Sequence, residues 1–340
     1  MSVCLLAFFV LNGMIQEIKD RILNGNQITN EEALSLIKLD KKEELYAAAD
    51  EIRLHYRGNF MEMCAIVSAK SGRCSQNCKW CSQSVFHNTN VEEYELIDQA
   101  EAERIAQENA KQGVYRFSLV TSGRAISNSN LNQLCNVYEN IGKKTPIHLC
   151  ASMGLLSKAQ LGRLKQAGVE HYHCNIETAP SFFPEVCTSH TIEEKIATIK
   201  SAQELGMKIC SGGILGMGES MEQRVEMAFA LKALNIDSIP LNILMPVEGT
   251  KLQNAQPLSD EDILTTFAIF RFINPQADIR LAGGRSRISH IQNQALRTGV
   301  SAALVGDYLT TVGTNVSQDK KIFSEAGFSL DHELIEQQKR

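Results

Sequence analysis

The sequence predicts a (β/α)8 barrel of the TIM type preceded by an N-terminal helical extension. Two patterns carry that expectation. Short apolar runs at 64–67, 116–120, 147–150, 173–176, 208–210, 239–244, 279–281 and 303–306 have the length of buried strands. Amphipathic stretches separate them, among them 100–112, 157–167, 192–205 and 221–234, with Gly168, Gly206 and Gly299 where a left-handed residue would close a helix. Strands alternating with helices make a parallel sheet, and eight such strands suit a closed barrel. The competing arrangement is an open doubly wound sheet, but no GxGxxG follows the first run.

The elements follow in order. Residues 3–11 form an apolar run with no positively charged start and no small-residue cleavage site after it, so it does not read as a secretory signal. Residues 1–13 are expected to be an extension outside the folded core, with Met14 as a candidate start. Ile15, Ile18, Ile22 and Leu23 then share a helical face, and Asn24-Gly25 ends that segment. Thr29-Asn30-Glu31-Glu32 opens a second helix with a capping residue and acids in its first turn. Residues 45–55 carry a third. The expected organisation is helices over 14–60, a barrel over 61–326 and a tail over 327–340, with no linker or composition shift marking another domain.

Composition limits the function. The 340 residues carry 34 Lys plus Arg against 39 Asp plus Glu, a net charge of −5. With 44% hydrophobic and 21% charged residues the chain is globular. Mild acidity without a basic block argues against nucleic-acid or anionic-membrane partners. No apolar run reaches the roughly 18 residues a membrane span needs. Ten cysteines, crowded at 74, 78 and 81, suggest metal ligation in a reducing, cytoplasmic compartment and not a disulfide framework.

The chemistry starts at Cys74-Ser75-Gln76-Asn77-Cys78-Lys79-Trp80-Cys81, a CxxxCxxC run just after the first strand. Three thiolates at this spacing can hold three irons of a [4Fe–4S] cube and leave the fourth open. A structural zinc site would want a fourth Cys or His at short spacing; the nearest, His87, lacks the usual second pair. A ferredoxin would want a fourth cysteine and a much smaller chain.

This motif, on the first loop of a predicted barrel, resembles the radical S-adenosylmethionine enzymes. The resemblance implies that the open iron chelates the amino and carboxylate groups of S-adenosylmethionine, that the cube reduces its sulfonium to give a 5′-deoxyadenosyl radical, and that Trp80 packs near the cluster or adenine. Further runs are similar to the biotin synthase family: Ser68-Ala69-Lys70-Ser71-Gly72, Lys208-Ile209-Cys210-Ser211-Gly212-Gly213-Ile214 with Gly216-Met217-Gly218-Glu219, Pro240-Leu241-Asn242, Gly249-Thr250, Arg280-Leu281-Ala282-Gly283-Gly284-Arg285 and Gly306-Asp307-Tyr308-Leu309-Thr310-Thr311. They are collinear from about Met14 to Ala326. The resemblance implies sulfur insertion into dethiobiotin, with an auxiliary iron–sulfur cluster as donor. It also implies a flavodoxin or ferredoxin as electron source, iron–sulfur assembly proteins as partners and a homodimer.

The auxiliary cluster can also be approached from strand ends. Cys150, Cys174 and Cys210 each fall at the end of a predicted strand, with Arg280 near the end of the seventh, and strand ends converge on a barrel's mouth. The family typically holds a [2Fe–2S] cluster with three cysteines and an arginine, and Cys150, Cys210 and Arg280 match three of those positions. Ser118 stands where the family has the remaining cysteine, and Tyr172-His173-Cys174-Asn175 replaces a Tyr-Asn-His-Asn run. The favoured expectation is a rebuilt site with Cys150, Cys174 and Cys210 as ligands, which suits a four-iron, sulfur-rich cluster with an open iron. The alternatives are a two-iron cluster on Cys150, Cys210 and Arg280, or no auxiliary cluster and a degenerate relative of the family.

Other roles carry over by position. Asn175 and Glu177 match ribose-binding residues for S-adenosylmethionine, Thr121-Ser122-Gly123 the loop at its amino group, and Lys195 a cation near its carboxylate. Asn242 matches a residue that hydrogen-bonds the ureido ring of dethiobiotin, for which a carboxamide offers both donor and acceptor; His173 replaces an asparagine of the same pocket. Cys4, Cys64, Cys135 and Cys187 fall in no motif and read as structural. Two other classes were weighed: an iron-only hydrogenase maturase, which would not need Asn242 or Arg280 with Cys150 and Cys210, and a non-catalytic iron–sulfur scaffold, which would not need Asn175 and Glu177.

Overall fold

The computed structural model describes residues 3–40, 42–306 and 315–331. Its strands are β1 Glu62–Lys70, β2 Arg116–Thr121, β3 His148–Ser152, β4 His171–His173, β5 Lys208–Cys210, β6 Gly213–Leu215, β7 Ser238–Ile243, β8 Asp278–Leu281 and β9 Ala302–Leu304. All pair in parallel, β1 between β2 and β9. Cys210 of β5 pairs with Ser238 of β7 and closes the ring. β6 continues the line of β5 after a two-residue break and also pairs with β7. The nine segments thus make eight staves, a closed (β/α)8 barrel.

Helices form where capping and periodicity coincide. Capping boxes open Asn30–Leu36, Lys158–Gln166, Ile192–Glu204 and Met221–Ala233 from Thr29, Ser157, Thr191 and Ser220. In each, a hydroxyl accepts from the third helical N–H while a Glu or Gln returns to the cap's own N–H. The N-terminal helices dock on the barrel's outer layer: Glu43–Arg57 packs on Asp260–Ile273, where the hydroxyls of Tyr46 and Thr265 are 3.1 Å apart.

Three boundaries differ from expectation. The first helix runs unbroken over Val3–Leu23, so no change in secondary structure marks residue 13. Residues 327–331 are not a free tail: Met61 N–H donates to the Ser329 carbonyl at 3.0 Å, and Ser329 N–H to that of Asn59 at 2.8 Å. The fourth strand is 171–173, not 173–176, because its inward positions hold His171 and His173, whose polarity hides the strand from a search for apolar runs. Asp307 to Thr311 of the Gly306 motif lie outside the described residues.

Period-two alternation divides each stave. Met63, Ala65, Phe117, Leu119, Leu149, Ala151, Tyr172, Ile209, Ile239, Leu241, Ile279 and Leu281 belong to the main core between barrel and helices. The intervening positions line the barrel, and they are polar, charged or thiol-bearing: Glu62, Cys64, Arg116, Ser118, Cys150, His171, His173, Cys210, Ser238 and Arg280. At its floor Glu62 pairs with Arg116 at 2.9 Å and Arg280 at 2.5 Å, all of them almost fully buried. Removing one member of such a set leaves charge uncompensated in a dry interior. Glu62→Ala should therefore lower unfolding stability by about 3–5 kcal/mol in urea titrations of the cluster-free protein. A shift within error of wild type would show that the pair is solvated.

Candidate metal centres and cofactor cleft

At the C-terminal end of the barrel, β1 runs into the cysteine loop. Gly72 turns the chain at φ +75°, where a Cβ would lie 2.6 Å from the Glu93 side chain. The loop is fastened on itself: Cys74 N–H donates to the Gln83 carbonyl at 2.9 Å, Val85 N–H to that of Cys74 at 2.9 Å, and Cys81 N–H to that of Cys78 at 3.1 Å. The thiols share a cleft of about 240 Å³ with Trp80, Thr121, Ser122, Gly123, His173, Cys174, Asn175, Glu177, His190 and Lys195.

The cleft's polar groups are positioned by their staves. Glu177 adopts φ +72°, in a region non-glycine residues seldom enter. It is held there because its N–H donates to the Gly212 carbonyl at 3.0 Å and its carbonyl accepts from Ile214 N–H at 2.8 Å. Gly213 is required by this approach, since a Cβ there would lie 2.4 Å from the Glu177 oxygen. Asn175 accepts from Gly212 N–H at 2.9 Å, and the Glu177 carboxylate meets Lys195 at 3.4 Å. Burial opposes the charge of Lys195, but Glu177 and Cys174 outweigh it and raise its pKa. Thr121 presents a buried hydroxyl with no partner among the described residues.

Asn242 is not among the residues lining that cleft. Its amide spans two staves, donating to the Gly213 carbonyl at 3.1 Å and accepting from Gly283 N–H at 2.9 Å. One N–H and one lone pair remain for another molecule. His173 lines the cleft while its Nδ1 lies 3.3 Å from the Cys210 sulfur. Burial lowers its pKa to about 4, so the ring is neutral.

Below the cleft lies a second set of thiols, and it differs from the one expected. Cys150 is surrounded electrostatically by Cys64, Arg116, Cys210 and Arg280, and Cys64 by Arg280, Cys210 and Arg116. Burial raises the pKa of each, that of Cys64 to about 11, while the two guanidiniums pull it down. Cys174 is not in this group. It lies just past the end of β4, lines the upper cleft beside Cys74, Cys78 and Cys81, and has Lys195 and Glu177 as its charged neighbours. Cys64, read from sequence as structural, occupies the inward phase of β1 instead.

Arg280 also behaves differently from a metal ligand. Its Nε donates to Ser238 Oγ at 3.3 Å, Nη1 to the carbonyls of Glu62 and Ala303 at 3.4 Å, and Nη2 to Glu62 Oε1 at 2.5 Å. Burial favours the neutral form, but Glu62 and Cys64 outweigh it and raise the pKa. The guanidinium is a fixed positive charge beside the thiols. The Ser118 hydroxyl is buried without a partner among the described residues and pairs in register with Cys150.

A larger hollow of about 610 Å³ opens at the opposite end of the barrel, lined by Arg57, Arg116, Lys208, Asp237 and Asp278. No thiol lines it, and the strands' C-terminal face is where barrel chemistry is built.

Comparison with known proteins supplies the family and the fold. The Radical SAM superfamily model matches residues 69–231, and that of the Biotin and Thiamin Synthesis associated domain matches residues 240–329. A biotin synthase of Parabacteroides distasonis is 49% identical over 317 residues, covering 93% of this chain and 97% of that protein. One from Porphyromonas gingivalis is 47% identical over 94% of this chain and 97% of its own. Among solved structures, methylornithine synthase (PylB) superposes with a TM-score of 0.81 over 94% of this chain and 99% of that one, at 18% identity. The FeFe-hydrogenase maturase HydG from Carboxydothermus hydrogenoformans gives 0.76 over 92% and 78%, also at 18%. These two likenesses are of fold alone. At 49% identity across nearly the whole length, with both family models in sequence, the chain belongs to the biotin synthase family of radical S-adenosylmethionine enzymes.

Proposed function

We propose that the protein inserts sulfur into dethiobiotin to close the thiophane ring of biotin, using S-adenosylmethionine and two separate iron–sulfur centres. The observation that carries this reading is the presence of two thiol sets in one barrel, Cys74, Cys78 and Cys81 at the mouth and Cys64, Cys150 and Cys210 below, with His173 reaching from one to the other. A protein that only cleaved S-adenosylmethionine would need the upper set alone.

When bound, a [4Fe–4S] cube supplies the electron that cleaves the sulfonium of S-adenosylmethionine. Cys74, Cys78 and Cys81 would hold it. Contact with Cys187 and burial raise the pKa of Cys78, and burial raises that of Cys81 to about 11. Cys78 and Cys81 therefore hold their protons more tightly than free thiols would, and metal would have to displace them. Asn175 and Glu177 would take the ribose hydroxyls, Thr121 and its neighbours the amino end, Lys195 the carboxylate, and Trp80 would shield the cofactor. The remaining donor and acceptor of Asn242 suit the ureido ring of dethiobiotin, and neutral His173 would border the same substrate.

The auxiliary cluster is assigned to Cys64, Cys150 and Cys210, with Arg116 and Arg280 as counter-charge. Thiolates are far better iron ligands than a guanidinium held to a carboxylate. Three thiolates without a fourth protein ligand suit a four-iron cluster with one iron open to an additional sulfide. The electron donor, a flavodoxin or ferredoxin, the iron–sulfur assembly proteins, the homodimer and the cytoplasmic location extend the same reading.

Three outcomes test it. Cys78→Ala should abolish 5′-deoxyadenosine formation from S-adenosylmethionine and dithionite; retained cleavage would remove the radical assignment. Reconstituted anaerobic wild type should convert dethiobiotin to biotin, and no biotin under any reconstitution would return the maturase alternative. Cys64→Ala should lose auxiliary iron, measured by iron and sulfide analysis with Mössbauer spectroscopy, and make deoxyadenosine but no biotin. Cys174→Ala and Ser118→Ala should keep that iron. Auxiliary iron lost in Cys174→Ala and kept in Cys64→Ala would restore the ligand set expected from the sequence.

A further inference from the structure

Beside the cysteine loop, the turn at 187–190 brings two more soft donors to Cys78. The Cys78 and Cys187 sulfurs are 3.6 Å apart, and the Cys187 sulfur lies 3.3 Å from His190 Nδ1 and 3.8 Å from Nε2. The donor atoms of Cys78, Cys187 and His190 all lie within 4.8 Å of one another. In a tetrahedral site with metal–sulfur bonds of about 2.3 Å and metal–nitrogen bonds of about 2.0 Å, neighbouring donors are separated by roughly 3.5–3.8 Å. The 3.6 Å edge between the sulfurs matches that spacing, and the two His190 nitrogens bracket it at 3.3 and 3.8 Å from Cys187.

The ring of His190 presents Nδ1 as the nitrogen nearer the Cys187 sulfur, so a metal held by Nε2 requires the ring to turn. Its Nδ1 is 2.9 Å from Gln76 Oε1, an atom that can only accept, so Nδ1 carries the proton. In a neutral imidazole Nε2 then keeps its lone pair. A metal-bound histidine ordinarily donates its other N–H to a carbonyl in this way. The turn is fastened to the loop by Asn77, whose Oδ1 accepts from Thr188 and Ser189 N–H, each at 3.0 Å, and by Lys79 N–H, which donates to the Val186 carbonyl at 2.9 Å. Cys187 and His190 are buried, so these donors are held together and not gathered from solvent.

We propose that the cluster-free protein binds a single divalent ion of the zinc or ferrous class at Cys78, Cys187 and His190, with a fourth position open. The site rests on the reading that Cys78 is a ligand of the radical cube. Both need the Cys78 thiolate as a terminal ligand, so the mononuclear state and the cube compete for it. The geometry makes this pocket a place where the first iron can be captured before a cube assembles, and where zinc can block assembly.

Cobalt(II) is a suitable probe, because thiolate charge-transfer bands and intense tetrahedral d–d bands report its ligands. Full-length cluster-free protein should show both, with loss of the signal in Cys78→Ala and Cys187→Ala. Gln76→Ala, which removes the partner that orients the ring, should weaken cobalt binding by about 10–100-fold. Cys74→Ala should keep the cobalt signal while losing the cube, and Cys187→Ala should lose cobalt while still accepting a cube on anaerobic reconstitution. A cobalt spectrum unchanged in Cys187→Ala, or no thiolate–cobalt band in wild type, would overturn the proposal. If Cys187→Ala also failed to accept a cube while remaining folded by circular dichroism, Cys187 would belong to the cube and the separate site would be excluded. Retained S-adenosylmethionine cleavage in Cys78→Ala would instead remove the cube assignment and leave the cobalt result standing.

Discussion

Two carboxylates sealed in the floor of the barrel, Glu62 and Asp278, set the charge on which the interior depends. Glu62 takes Arg116 and Arg280, and Asp278 takes Arg57 through paired contacts of 2.9 and 2.8 Å. Burying such groups costs several kcal/mol each before their attraction is counted, so the network is a poor device for stability alone. What it secures is orientation. Arg280 is fastened by every nitrogen it has, and the positive face it offers to Cys64 and Cys210 cannot rotate away.

That fixed charge explains why soft ligands can sit in a dry barrel. Burial drives the thiol pKa values of Cys64, Cys150 and Cys210 upward, and Arg116 and Arg280 oppose the shift for all three. On the proposed assignment metal would displace those protons, and nearby cations would reduce the cost of the thiolates so created. The upper set faces a different environment. Cys78 and Cys81 lie near Glu177, whose charge disfavours thiolates, and Lys195 rests on that same carboxylate. The two sets differ electrostatically as well as in position.

The barrel and the cysteine loop were legible in the sequence because their signals are local. Alternating runs and caps identify staves and helices, and CxxxCxxC needs no tertiary information. The lower site was legible only in part. Position alone groups Cys150 and Cys210, which share charged neighbours with Cys64, but it also groups Cys174 with them for lying near a strand end, a criterion blind to which face a side chain takes. Parity would have separated the candidates: Cys64 stands two residues after Glu62 and one before outward-packed Ala65, whereas Cys174 stands two after outward-packed Tyr172. Cys187 and His190 carried no signal at all, since their contact with Cys78 spans 109 residues of sequence and no spacing rule reaches that far.

The same parity shows how a thiol can move without rebuilding the fold. Ser118 lies beside Ile66 on one side and Cys150 on the other, and Cys64 is the inward position of β1 immediately before Ile66. Exchanging a thiol at 118 for one at 64 shifts the ligand by one stave and one inward step while leaving every outward contact in place. Its new neighbours differ, however. At 118 a thiol would sit level with Cys150; at 64 it sits level with Arg116 and under the influence of Arg280. A ligand set displaced toward the guanidiniums can carry more negative charge, as a cluster with an additional sulfide would require. Ser118 and Cys64 thus occupy neighbouring inward positions on adjacent staves, and Arg280, kept on Glu62, is the fixed charge that a thiolate at 64 would face.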